Sequence, residues 1–209
     1  MDNAIRLVAI SGRKRSGKGT TASWFIENDN FAPVKFADTL KRMLKVLFED
    51  WGLNEALIER LIESDLKELP LPWTRETSDF TDIPDVLTQI LMGGKSSRYA
   101  MQKLGTEWRD MLSLSLWTDV TERRIHLHWA KNERVVVDDM RFPHELESMR
   151  DMGALLIKVR NPKLPPNTDT HASEQELPDH LFDIVLDNDG TIAELHCKVA
   201  NSWRETCGR

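Results

Sequence analysis

Ile5-Arg-Leu-Val-Ala-Ile-Ser-Gly-Arg-Lys-Arg-Ser-Gly-Lys-Gly-Thr-Thr21 is the stretch that decides the architecture. Residues 5–10 are mostly apolar, with β-branched members, and Ser11-Gly12 follows at once. That is a buried strand entering a tight turn. From Lys18 the pattern turns helical, with Trp24, Phe25 and Ile26 among its apolar positions. Strand, glycine turn, lysine and helix start thus stand in the order of a phosphate-binding loop. Gly12 and Gly17 permit backbone conformations that a side chain would obstruct. The N–H groups of the turn then point inward, and the helix start adds its dipole and unpaired donors. We place Gly12, Arg13, Lys14, Ser16, Gly17, Gly19, Thr20 and Thr21 in this cradle, with Lys18 as a point charge on the β- and γ-phosphates of a nucleoside triphosphate. The Ser/Thr that usually follows the lysine is Gly19 here, and Thr20 comes one place later. Thr20 is a magnesium-site candidate, directly or through water. The loop interior, Arg13-Lys14-Arg15, is unusually basic; its charges are either solvated or support the transferred phosphoryl group, and Arg15 is the candidate for the second role.

Working outward, a second strand is expected at residues 31–36. A helix starting at Asp38 runs through Leu40, Met43, Leu44, Leu47 and Phe48 to Gly52, and a short helix follows at 54–62. Residues 66–81 read as an irregular connection, 84–92 as a helix, and 98–112 and 116–130 as two more. Val135-Val136-Val137 is buried-strand chemistry and runs into Asp138-Asp139. A carboxylate there, at the C-terminal end of a strand beside the phosphate loop, can hold magnesium through water, while its neighbour caps the next helix or pairs with Arg141. Pro143 opens a helix that Gly153 closes. Strands at 155–159 and 182–186 and a helix at 192–204 complete the chain. Residues 161–179 form a polar, Pro-containing loop longer than ordinary connections.

Strands alternating with helices argue for a five-stranded parallel sheet covered on both faces. The helical stretch between strands two and three exceeds one crossover, so residues 38–130 are expected as an inserted helical subdomain within a single domain spanning 1–209.

The 209 residues are 40% hydrophobic and 30% charged, with a formal net charge of −6. That excludes the global basic excess of a general nucleic-acid binder. No apolar run approaches the roughly 18 residues that span a bilayer, and the start reads as a strand, not a signal peptide. The two cysteines, Cys197 and Cys207, form no metal-binding pattern and are expected as free thiols in a reducing cytoplasm. The oligomeric state is not readable; a homodimer is compatible with the sequence.

Several segments, taken in order, resemble one family. They are Ser11-Gly-Arg-Lys-Arg-Ser-Gly-Lys18, Phe36-Ala-Asp-Thr-Leu-Lys41, Gln102-Lys-Leu-Gly-Thr-Glu-Trp-Arg109, Asp138-Asp-Met-Arg-Phe-Pro-His-Glu145, His171-Ala-Ser-Glu-Gln-Glu-Leu177 and Asp187-Asn-Asp-Gly-Thr191. Together they are similar to the phage-type deoxynucleoside monophosphate kinases over nearly the whole chain. The resemblance implies a P-loop kinase fold and ATP- and Mg2+-dependent phosphorylation of a dNMP, a small-molecule substrate, in the cytoplasm (a host's, if phage-encoded). It implies an acceptor site drawing on Asp38, Lys41, Arg98, Gln102, Gly105, Thr106, Glu107 and Arg109. Arg141 would point toward the phosphates, with Lys18 and Arg15 as its catalytic partners. His171 and Glu174 fall in a lid-like loop at 161–180 as substrate-contacting or loop-ordering groups. That loop departs from the adenylate-kinase pattern in lacking an arginine, so Arg160 joins the candidates for phosphate charge. Two other readings stand beside this one: an acceptor like that of the phosphomevalonate kinases, which share the Ser-Gly-x-x-x-Ser-Gly-Lys start, and a slowly hydrolysing nucleotide switch.

Overall fold

In a computed structural model of the chain, residues 5–68, 95–165 and 176–207 are described. The helix expected at 84–92 and most of the connection expected at 66–81 lie outside them. Five parallel strands form one sheet in the order β2-β3-β1-β4-β5: β1 Leu7–Ser11, β2 Phe31–Val34, β3 Arg134–Met140, β4 Leu155–Arg160 and β5 Ile184–Asp187. β1 is central, and all five of its residues are buried. A strand covered on both faces has no solvent side, which is why its sequence is an unbroken apolar run rather than an alternation.

The alternate residues of β1 enter two different cores. Val8 and Ile10 pack with Ala22 and Phe25 of α1 (Lys18–Asp29) and with Val199 and Trp203 of α8 (Ile192–Cys207). Leu7 and Ala9 pack with Ile125 of α6 (Leu116–Trp129) and with Leu146 and Met149 of α7 (Pro143–Asp151). The chain divides into two compact units, one made of the described residues up to Phe36 and from Trp117 onward. α6 therefore belongs almost wholly to the sheet unit, through Ile125.

The second unit, Ala37–Leu116, is helical. It holds α2 (Asp38–Asp50), α3 (Glu55–Glu63), a 3-10 turn (Asp65–Glu68), α4 (Ser97–Lys103) and α5 (Arg109–Leu112). Leu44, Phe48, Leu57, Ile58, Leu61 and Ile62 form its own core. Asp38 occupies the first turn of α2 and is not its cap, which is Ala37 with no side-chain bond. Asn54 caps α3 through the Leu57 N–H at 2.9 Å. The single helix expected at 98–112 is broken: Leu104–Trp108 is a π turn joining α4 to α5. Among the described residues no helix is long and apolar enough to cross a membrane.

Candidate active site

The loop from Gly12 to Gly17 closes where β1 hands over to α1. A Cβ on Gly12 would lie 2.2 Å from the Val159 carbonyl oxygen, and one on Gly17 2.5 Å from Asn188 Nδ2. Both glycines have positive φ, +148° and +109°, so only glycine serves at either place. Gly17 stands at the start of α1 and supplies no side-chain cap, and the first turn holds no acidic residue. No side chain caps the leading N–H groups of α1, and an anion suits both their donors and the helix dipole. Lys18 spans the loop, its Nζ donating to the Gly12 and Arg13 carbonyls at 2.7 Å each. The Ser16 and Thr21 hydroxyls are buried with no hydrogen-bond partner. Unsatisfied buried hydroxyls beside an uncapped helix start are what a phosphate-bearing ligand would complete.

Arg13, Lys14 and Arg15 differ in surroundings. Arg13 is engaged: Nη2 donates to the Pro165 carbonyl at 2.7 Å, and Nε lies 3.4 Å from Glu176. Lys14 is exposed, and Arg15 is exposed at a left-handed φ of 64°.

β3 runs through both aspartates, and the two are engaged differently. Ala9 pairs with Val137 and Ser11 with Met140, so β3 carries one more residue than β1 over this span. The irregularity falls at Asp138-Asp139. Asp139 accepts the Phe36 N–H at 2.9 Å and so ties β3 to the chain leaving β2. Asp138 turns to the phosphate loop, its Oδ2 3.9 Å from where a Cβ on Gly19 would stand. Lys35 Nζ lies 3.2 Å from Asp138 Oδ1 and 3.3 Å from Oδ2. Arg141 follows, its N–H donating to Glu145 Oε2 at 2.6 Å; the Phe142 N–H donates to the same oxygen at 3.0 Å. Burial, and then the nearby Asp139 charge, push the Glu145 carboxyl up to about 7 against the pull of those two N–H donors.

A cavity of about 450 Å³ adjoins the loop, lined among others by Arg13, Ser16, Val159, Arg160, Asp187 and Asp189. Arg160 forms a fork on Asp187 at 2.8 and 2.9 Å and also reaches Asp179 at 2.6 Å. Its charge is thus engaged by two carboxylates, of which Asp187 lines the cavity. The β5–α8 turn closes onto the loop: Asn188 Nδ2 donates to the Ser16 carbonyl at 2.9 Å. In a trans peptide C=O and N–H point opposite ways, so this bond aims the Gly17 N–H away from Asn188.

In the helical unit, Lys41 pairs with Glu63 at 2.6 Å and Arg98 with Glu68 at 3.4 Å. Lys67 lies near both cations: its ammonium pKa is lowered by partial burial, then by Lys41, with Arg98 a smaller contributor. Thr106 Oγ1 donates to the Gln102 carbonyl at 2.8 Å inside the π turn. Glu107 pairs with Lys103, and Arg109 with Asp110. A Cβ on Gly105 would sit 3.3 Å from Leu40 Cδ1. His171 and Glu174, and residues 166–175 of the lid-like loop, lie outside the described residues.

Sequence reasoning missed Lys35, Lys67, Glu145 and Asn188 as site residues. The last two stand in the quoted segments, where they could have been singled out. Lys35 and Lys67 carry no motif, and only folding reveals their neighbours.

A family model for deoxynucleotide monophosphate kinase matches residues 73–199, well over half of the chain and wholly downstream of the phosphate loop. The chain is 25% identical over 243 residues to the deoxynucleotide monophosphate kinase of Enterobacteria phage T4, covering 96% of this chain and 99% of that one. It is 27% identical over 248 residues to the enzyme of the same name from Escherichia phage RB69, covering 96% and 100%. It is 29% identical over 204 residues to a provisionally named deoxynucleotide monophosphate kinase of Acanthamoeba polyphaga mimivirus, covering 92% and 93%.

Proposed function

The chain belongs to the deoxynucleotide monophosphate kinase family, and from that premise we propose how its residues carry the reaction. The γ-phosphoryl group of ATP passes to the 5′-phosphate of a deoxynucleoside monophosphate. A bond forms from an acceptor phosphate oxygen to the γ-phosphorus, the β–γ bridging bond breaks, and ADP leaves. The observation that carries this reading is the uncapped start of α1, with Lys18 across the loop and unsatisfied hydroxyls beside it.

The chain's work is positioning and charge. The loop N–H groups and Lys18 hold the donor phosphates. The adjoining cavity is of a size for the donor nucleoside, with Asp187 and Asp189 as acceptors for its hydroxyl or amine hydrogens. Arg15 and Arg141 serve the transferred group. Lys41, Lys67 and Arg98 hold the acceptor phosphate: burial and then the Lys41 charge lower the Lys67 pKa, and a bound phosphate dianion would favour its charged form. The polar groups of Gln102 and Glu107 read the base, and Asp38, Gly105, Thr106 and Arg109 complete that site.

Mg2+ fits beside the loop. It keeps most of its waters and needs one or two carboxylates plus phosphate oxygens. Among the described residues there is no group of three ligating side chains; Asp138, facing the Gly19 backbone, would supply the carboxylate, and Thr20, next in sequence to Gly19, would supply a hydroxyl. Bound there, the ion neutralises charge on the β- and γ-phosphates.

The test is a coupled assay with ATP, Mg2+ and a panel of dNMPs, NMPs and phosphomevalonate. ADP formation that depends on a dNMP supports the reading, and no acceptor-dependent ADP above background defeats it. Lys18→Ala should lower kcat on the order of 10²–10³-fold; an unchanged rate removes the loop from the chemistry. Neither the phosphomevalonate acceptor nor the non-kinase switch draws support from the relatives.

A further inference from the structure

Lys35 closes β2's approach to the phosphate loop, and nothing in its local sequence marks it. Its backbone is fixed from both sides. The Lys35 carbonyl accepts from Arg124 Nη1 at 3.3 Å, and the next residue, Phe36, donates its N–H to Asp139. From this anchored position its ammonium straddles both oxygens of Asp138, at 3.2 and 3.3 Å. Asp138 is 13% exposed at its side chain, and its Oδ2 faces the Gly19 backbone at the start of α1. This is the one carboxylate among the described residues that both ends β3 and faces the phosphate loop. Its neighbour Asp139 is already engaged with backbone.

We propose that Lys35 is a built-in counter-ion that occupies the cation side of Asp138 in the nucleotide-free chain, gives way to the divalent ion, and then turns its charge onto the phosphates. The inference rests on the reading of Asp138 as the metal carboxylate. A mostly buried carboxylate is costly without a cation because burial strips its hydration, and at an anion-binding loop its field would also oppose incoming phosphates. A lysine meets that need and can leave: it is a point charge on a flexible stem, unlike the rigid fork of an arginine. A divalent ion and an ammonium then compete for one carboxylate. The loser carries its positive charge within a side-chain swing of the loop, where phosphate oxygens are its next acceptors. Lys35 thereby becomes a further phosphate-directed residue of this kinase.

The test uses Mn2+ binding to the nucleotide-free chain, followed by loss of the free-Mn2+ EPR signal. Lys35→Met removes the competing charge and should tighten Mn2+ binding about tenfold, a difference of about 1.4 kcal/mol. Lys35→Gln, a second neutral variant, should do the same, and Lys35→Arg, which keeps the charge and holds a carboxylate as a fork, should bind no more tightly than the wild type. The gain should vanish when Asp138→Asn is added. With Mg2+, ATP and a dNMP, Lys35→Met should lower kcat about tenfold or more. Equal Mn2+ affinity in the wild type and both neutral variants overturns the proposal, as does a gain that survives Asp138→Asn. The Mn2+ arm needs no turnover, so it is decided separately from the kinase reading.

Discussion

At Glu145 the cost of burying a carboxylate is balanced against what it holds. Its residue is 6% exposed, and one oxygen takes both the Arg141 and Phe142 N–H groups. The neutral acid keeps an acceptor oxygen, so the turn carrying Arg141 can be held in either state. Its pKa is raised on folding from the ordinary 4.5 to about 7. The folded state therefore binds the proton more tightly than the unfolded one. The stability from this group is fully present below the unfolded pKa and is lost as pH rises through the folded one. Glu145→Gln is neutral throughout. Its stability relative to the wild type should rise by up to about 3 kcal/mol between pH 5 and pH 8 in urea titrations, and a difference that stays flat with pH contradicts the shift. Arg98 raises a different issue at the same scale, since it pairs with Glu68 and lies near the like charge of Lys67. Arg98→Ala should raise KM for the dNMP more than KM for ATP; an effect on ATP alone puts the acceptor site elsewhere.

At the scale of elements, the phosphate loop is shaped by segments far from it in sequence. The β5–α8 turn reaches it through Asn188, and the Val159 carbonyl of β4 crowds Gly12. Asn188→Ala removes a bond that fixes the Ser16–Gly17 peptide. It should raise KM for ATP several-fold with little change in KM for the dNMP, and steady-state kinetics varying each substrate in turn will separate the two. The helical unit shows the same dependence in its π turn. Leu104–Trp108 departs from the α-helix that residues 98–112 suggest, and Gly105 lies within it. A π turn carries one extra residue per turn and re-aims the side chains after it, and such turns are frequent at functional sites. Glu107 and Arg109 accordingly leave the face that ideal helical spacing assigns them.

On the scale of the whole molecule, the sheet unit is assembled from two distant stretches of chain, the residues before Ala37 and those after Leu116. Phe25 and Phe31 from the first meet Trp203 from the second, with ring centroids 5.3 and 5.7 Å from the tryptophan. Trp203→Ala should cost about 3–5 kcal/mol through the cavity it leaves, read as a lower urea midpoint. A loss under 1 kcal/mol would mean that the C-terminal helix is not integral to the core. The sequence by itself determined the central strand, the phosphate loop, the order of strands and helices, and the identity of Lys18. These rest on local physics: an unbroken apolar run, glycines at a tight turn, and the periodicity of helices. Only the tertiary structure decided which aspartate faces the loop, that Lys35 meets it, that Lys67 joins Lys41 and Arg98, and that Arg160 is spent on Asp187 and Asp179. Asp138 and Asp139 are identical in chemistry and adjacent in sequence. A register irregularity against β1 falls where they stand, and Met140 beyond them packs in the same core as Val135 and Val137, so the alternation of a regular strand does not tell them apart; their partners do. Side chains separated by about a hundred residues acquire a chemical role only from the neighbours that folding brings to them.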